Sequence, residues 1–207
     1  MTPAHTRLHA DLTQRAVVNS AALPWHASPC ARVERRMLER DGDEVARATS
    51  VVRYAPGARF DAHTHELGEE ILKNPPGSAH APYSADGCLL FVKLRHLDPA
   101  DTERCVIDTR AATWYQGMVP GLTVLPLSSF ETQHTALVRW APGTFFNPHR
   151  HFGGEEIFVV EGVFSDEHGD YPAGHWLRSP HLSQHQPFSR EGCLILVKTG
   201  HLPPATP

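Results

Sequence analysis

Two histidines one residue apart, with a glutamate four positions further on, occur twice in this chain. They are His63-Thr64-His65 with Glu69, and His149-Arg150-His151 with Glu155. On an extended strand, side chains at i and i+2 point the same way, so each pair can aim two imidazoles at one place. In the second copy Phe152-Gly153-Gly154 reads as a tight turn that returns Glu155 to that place at the start of the next strand. A further imidazole must come from farther along the chain. His185, behind Ser179-Pro180-His181, is the candidate in the second copy, and His80, behind Asn74-Pro75-Pro76, in the first.

Three imidazoles and a carboxylate form a donor set of borderline hardness, suited to Zn²⁺, Fe²⁺, Mn²⁺, Ni²⁺ or Co²⁺. Buried together without an ion, these groups would leave polar atoms unpaired at a cost of several kcal/mol. The expectation is one divalent metal per copy, Zn²⁺ or Fe²⁺ first, with Mn²⁺ and Ni²⁺ as further choices. His149, His151, Glu155 and His185 would hold one ion, and His63, His65, Glu69 and His80 the other. Glu70 and Glu156 are second choices for the carboxylate. No thiolate belongs to either set, which speaks against a cysteine-type structural zinc knot.

The ligand arrays sit inside a longer repeat. Ser50-Val-Val-Arg-Tyr-Ala-Pro-Gly57 returns as Ala136-Leu-Val-Arg-Trp-Ala-Pro-Gly143, and Gly87-Cys88-Leu-Leu-Phe-Val-Lys93 returns as Gly192-Cys193-Leu-Ile-Leu-Val-Lys198. Between these anchors the second copy is longer by the segment Val159 to Leu177, which reads as strand, turn, strand. The first copy passes from Leu72 to Lys73 without it. The repeat predicts residues 25–105 as a first barrel lacking a hairpin and 106–207 as a complete second one, behind an N-terminal extension, 1–24.

Short aliphatic and β-branched runs bounded by Gly or Pro predict strands at Thr49 to Tyr54, Leu89 to Leu94, Thr135 to Trp140, Ile157 to Val160 and Leu194 to Lys198. The best helical candidate is Thr6 to Ala16, and Val106 to Thr113 reads as the link between copies. With 18 prolines and 15 glycines among 207 residues, an all-β chain rich in turns is expected. Of the 15 histidines, His168, His175 and His181 have no repeat partner and read as outside the metal set. His96 and His201 do repeat, but at strand ends, and read as surface or interface residues. His5, His9, His26 and His134 read as solvated. Cys88 and Cys193 read as small residues starting buried strands rather than redox groups.

Composition narrows the function classes. A net charge of -4, with no long Lys/Arg run, argues against nucleic acid as a partner. The sequence shows no apolar run of membrane-spanning length and no apolar stretch behind a basic leader, so neither a membrane partner nor a signal peptide is expected. Four dispersed cysteines suit a reduced, cytoplasmic protein.

The array Gly143-x5-His149-x-His151-x3-Glu155-x6-Gly162 resembles the first motif of the cupins position for position. The tail Phe164-Ser-Asp-Glu-His-Gly-Asp-Tyr-Pro-Ala-Gly174, with Pro180 and His185 behind it, resembles the barrel of ChrR-type anti-sigma factors. The resemblance covers roughly residues 25 to 202. It implies a bicupin, two tandem double-stranded β-helix (jelly-roll) barrels, each able to bind metal. In ChrR-type proteins a zinc-binding helical module that grips the sigma factor precedes the barrel. No His-x3-Cys-x2-Cys appears here, so a sigma-factor partner is not expected.

Two functions then compete. One is a metal-bound barrel that senses or binds a small molecule or oxidant. The other is an Fe²⁺-dependent dioxygenase that cleaves a diketone or hydroxy-ketone, as similar cupins do. Isomerase or lyase chemistry on Zn²⁺ or Mn²⁺ stands third. Tyr54, Glu156 and Arg139 are thin candidates for an acid–base partner, so the binding reading is preferred. Paired barrels with exposed sheet edges further suggest a homodimer.

Overall fold

The computed structural model describes residues 6–43, 45–60, 63–64, 69–70 and 73–204, with backbone alone at 63–64 and 69–70. The chain is all-β. Among the described residues the sole helical piece is a 3-10 turn at Ser20–Ala22, and no helix is long and apolar enough to cross a membrane. Two compact units form, Met1–Ala10 with Ala22–Val106, and Asp11–Ala21 with Ile107–Pro207.

The second unit has a main antiparallel sheet ordered Tyr115–Gln116, Leu122–Phe130, Gln133–Trp140, Cys193–Thr199, Glu155–Asp166, His175–Ser179 and Ala16–Asn19. Shorter antiparallel pairs complete it. Thr144–Phe145 pairs with Phe188–Ser189, and His149–Arg150 with Gln184–His185. The long strand Glu155–Asp166 belongs to both layers. Its first part pairs with Cys193–Thr199, and its end folds back on Gly169–Pro172. The result is the double-stranded β-helix of a cupin. Trp140, Ile157, Val159, Phe164, Leu177 and Ile195 form its apolar interior.

The long strand carries one irregularity. The register with Cys193–Thr199 shifts between Val159 and Glu161, so the alternation of faces slips by one residue. Ile157 and Val159 point inward before the bulge, and Phe164 does so after it. Gly162 sits in this bend with φ of +70°, and a Cβ there would stand 2.0 Å from the Gly192 carbonyl oxygen. Only glycine suits both demands.

The first unit repeats the plan with fewer strands. Its sheet runs Arg7–Leu8, Val33–Gly42, Ala46–Tyr54, Cys88–Leu94 and Glu69–Glu70, with His26–Ala27 also on Val33–Gly42. His63–Thr64 pairs with Ala79–His80, placing His63 opposite His80 just as His149 stands opposite His185. Among the described residues no strand corresponds to Gly169–Pro172 or His175–Ser179 of the second unit. Instead Lys73 bridges to Cys105, and its ammonium pairs with Asp101 at 2.7 Å and Glu103 at 3.3 Å. The stretch after Leu94 thus returns to the edge where the missing hairpin would lie.

The helix expected at Thr6 to Ala16 does not form. The Asp11 carboxylate accepts from the Thr13 backbone N–H at 2.9 Å and from its hydroxyl at 2.7 Å, a local turn that competes with helix. Beyond it, Ala16 and Val18 face inward and Val17 and Asn19 outward, the alternation of a strand.

Candidate metal centre

His149, His151 and His185 converge in the second unit, with one ring nitrogen of each within 4.8 Å of the others. His149 and His185 are brought together by strand pairing. His151 follows at the strand's end, where its N–H donates to the Ser183 carbonyl at 3.0 Å. The two-glycine turn beyond it is pinned by His181, whose Nδ1 accepts from the Gly153 N–H at 2.8 Å. Glu155 then opens the next strand. Its Oε2 lies 3.5 Å from Nε2 of both His151 and His185, and those two nitrogens are 2.9 Å apart.

The donor set fits a divalent ion. Two donors about 2.1 Å from one metal stand about 3.0 Å apart at right angles and about 3.4 Å at the tetrahedral angle. The spacings of 2.9 and 3.5 Å match that range. Nδ1 of His149 faces the Asn147 carbonyl at 3.0 Å, an acceptor that requires the proton on Nδ1 and leaves the Nε2 lone pair for a ligand bond. Edge contacts from Phe146 to His149 and the Phe164 ring near His185 supply an apolar floor.

The electrostatics suit the same role. Burial lowers His149, and burial together with the neighbouring imidazoles holds His151 at about 3, so both rings are neutral. Burial pushes Glu155 up to about 7. His185 moves the other way. Burial alone would lower it, but Asp166 and Glu155 outweigh that and raise it. A cavity of about 520 Å³ opens beside His149 and His185, lined also by Pro148, Arg150, Glu167, Gln184 and Gln186.

The remaining residues singled out in the sequence fall elsewhere. Glu156 turns to the opposite face from Glu155, buried with His201 at 3.4 Å, and is not part of the cluster. His96 and His201, expected at the surface or an interface, are buried instead, their side chains 5% and 3% exposed. His96 sits 3.3 Å from the fully buried Glu39, which Arg47 also holds at 2.7 Å. A strand-end position says nothing about depth, and both histidines pack against buried carboxylates. Arg139 is exposed beside Glu161 and the Trp114 ring, and Tyr54 belongs to the first unit's core. His9, His26 and His134 are exposed as expected, and His168 is exposed as well. Cys193 is buried, its thiol pushed up to about 11 by that burial, which suits a packing role.

In the first unit only His80 of the expected ligands is described to its side chain, half-buried with Nδ1 3.4 Å from the Asn74 amide. His63, Glu69 and Glu70 are described by backbone alone, and His65 and His5 lie outside the described residues. Sequence reasoning also passed over Asp166, Tyr171 and Arg15, which stand behind His185.

Among solved structures the chain is similar to a candidate dioxygenase from Nostoc punctiforme, with 12% identity, TM-score 0.64, and 94% of this chain and 86% of that one covered. It is also similar to a candidate glyoxylate-induced protein from Pseudomonas aeruginosa (14% identity, TM-score 0.58, 96% and 92% covered). A third is AerE from Microcystis aeruginosa (11% identity, TM-score 0.58, 86% and 97% covered). At these identities the likeness is one of fold. No curated protein matches the chain. The model of the ChrR cupin-like domain matches residues 13–73 and 102–203, well over half the sequence. With that match, and a barrel that gathers the motif's three histidines, the chain belongs to the ChrR cupin-like domain family.

Proposed function

We propose that the second unit holds one divalent cation, Zn²⁺ or Fe²⁺, through His149, His151, Glu155 and His185, and that the protein binds a small molecule at that ion as a sensing or carrier barrel. The observation that carries this reading is the convergence of His149, His151 and His185, with Glu155 3.5 Å from His185, beside an open cavity that His149 and His185 line. Bound there, the ion would act as a Lewis acid with coordination positions left for a ligand. The chain's own part is to hold the donors still and shape the space. Asn147 fixes the His149 tautomer, His181 pins the turn before Glu155, and Phe146 and Phe164 keep the inner side apolar. Arg150 and Gln184 also line the cavity and offer polar groups suited to an anionic or carbonyl-bearing ligand.

Among the described residues lining the cavity, Glu167 is the one acid–base group that is not a ligand, and it keeps its charge. That favours binding over catalysis. The second reading, an Fe²⁺-dependent dioxygenase acting on a diketone, is favoured by a cavity with room for a chelating substrate beside His149. We propose further that the first unit binds a second ion, more weakly, through His63, His65, Glu69 and His80.

The test uses acetylacetone as the probe. Calorimetric binding to the Zn²⁺-loaded protein, with no oxygen uptake by the Fe²⁺-loaded protein, supports the binding reading. Sustained oxygen uptake lost in His149→Ala would replace it with the dioxygenase. Neither binding nor uptake would remove diketones from both.

A further inference from the structure

Behind His185, on the side away from the other imidazoles, stands a chain of polar groups. Nδ1 of His185 faces Oδ2 of Asp166 at 3.8 Å, the two side chains 8% and 4% exposed. Oδ1 of Asp166 accepts from the Tyr171 hydroxyl at 2.8 Å and from the His168 backbone N–H at 2.8 Å. Arg15 donates to the Tyr171 hydroxyl at 2.7 Å and lies 3.7 Å from Oδ2 of Asp166. Arg15 belongs to the segment Asp11–Ala21, whose strand lies along His175–Ser179. Buried Arg178 binds that segment's turn through the Asp11 carbonyl at 2.8 Å.

Glu155 and Asp166 lie on one strand at an odd spacing, which in regular pleating would put them on opposite faces. The bulge between Val159 and Glu161 corrects the parity, so both carboxylates face the imidazoles. A buried carboxylate is costly to keep ionised. Burial would raise Asp166, but His185, Tyr171, the His168 N–H and Arg15 outweigh it and hold it low. Capping the turn at His168 alone would not require a buried anion aimed at a ring nitrogen.

We infer that Asp166, clamped by Tyr171 and Arg15, positions His185 and keeps the proton on its Nδ1, so that Nε2 presents its lone pair to the metal proposed above. The Asp11–Ala21 segment is thereby part of the metal centre. At 3.8 Å the carboxylate attracts the ring without yet forming a hydrogen bond. A cation on Nε2 makes Nδ1–H a stronger donor and draws the pair together, as in other carboxylate–histidine–metal arrangements.

The experiment uses the full chain, stripped of metal and titrated with Zn²⁺ against a competing chelator. Wild type, Asp166→Asn and Arg15→Gln are compared, and ¹⁵N NMR reads the His185 tautomer before and after loading. Asparagine keeps the shape and can still accept from Tyr171 and His168, so the turn is preserved while the charge is lost. Asp166→Asn should weaken the tight site about 10- to 100-fold with its stoichiometry unchanged. Arg15→Gln should weaken it in the same direction and less. In metal-free wild type at alkaline pH, where the ring is neutral, His185 should carry its proton on Nδ1, and Asp166→Asn should mix the two tautomers. If wild type binds Zn²⁺ and Asp166→Asn matches it in affinity and tautomer, the positioning role is overturned while the metal site stands. If wild type binds no Zn²⁺, the metal site fails, and the metal-free tautomer still decides whether Asp166 governs the ring.

Discussion

Metal binding should weaken between pH 8 and pH 6, by about ten-fold through Glu155 alone. In the metal-free centre burial holds this carboxyl at about 7 rather than 4.5. An ion can use only the carboxylate form, so protons compete with it below neutrality. The apparent dissociation constant then scales as one plus the protonated-to-ionised ratio, about 1.1 at pH 8 and about 11 at pH 6. His185, also raised, adds in the same direction, so the slope should approach two protons per ion at lower pH. An exposed carboxylate at its ordinary value would give a flat profile over this range. Zn²⁺ competition titrations from pH 8 to 6 measure the slope, and calorimetry in two buffers of different ionisation enthalpy counts the protons released. Glu155→Gln should bind more weakly at pH 8 and lose about one proton from the slope. An affinity unchanged across the range, or a variant as steep as wild type, would refute the placement of Glu155 among the ligands.

Two further perturbations test the scaffold. Glu39 is buried, which would raise it, yet His96, Lys93 and Arg47 bring it down to about 2. Its contribution, at most about 3 kcal/mol, is present above the unfolded value of 4.5 and lost as pH falls toward 2. Denaturant unfolding should therefore show Glu39→Gln losing less stability than wild type over that window. Parallel curves would contradict it. Gly162→Ala should destabilise the second unit by roughly 1–3 kcal/mol, through positive φ and a clash with the Gly192 carbonyl. Gly143→Ala has a similar φ of +77° but open space around its Cβ, and should cost less by the same thermal melts.

The repeat, the all-β architecture and the central strands were legible because alternating apolar runs and Gly-Pro punctuation are local signals. Predicted strands such as Thr135 to Trp140 lie inside longer observed ones, here Gln133–Trp140. The gathering of His149, His151 and His185 follows from i, i+2 geometry and one strand pairing, which also kept it within reach. What stayed hidden depends on non-local facts. Asp166 looks outward by simple parity, and only the bulge at Val159–Glu161 turns it in. Arg15 reaches Tyr171 across 156 residues of sequence, a contact no spacing rule encodes. His96 and His201 looked peripheral because a strand end is often a surface position, whereas buried Glu39 and Glu156 draw them into the interior. The turn at Asp11 and Thr13 rests on a side-chain cap that competes with helix, which the residue types between Thr6 and Ala16 do not by themselves decide.

The metal centre itself is tested most simply by the metal content of protein purified without added metal, beside His149→Ala and the double variant His149→Ala/His151→Ala. Wild type should hold a zinc or iron ion tightly in the second unit, and both variants should lose it while keeping their β-sheet circular dichroism. Wild type that holds no ion and takes up none on titration, or a double variant that keeps the full complement, would contradict the assignment of these histidines as ligands.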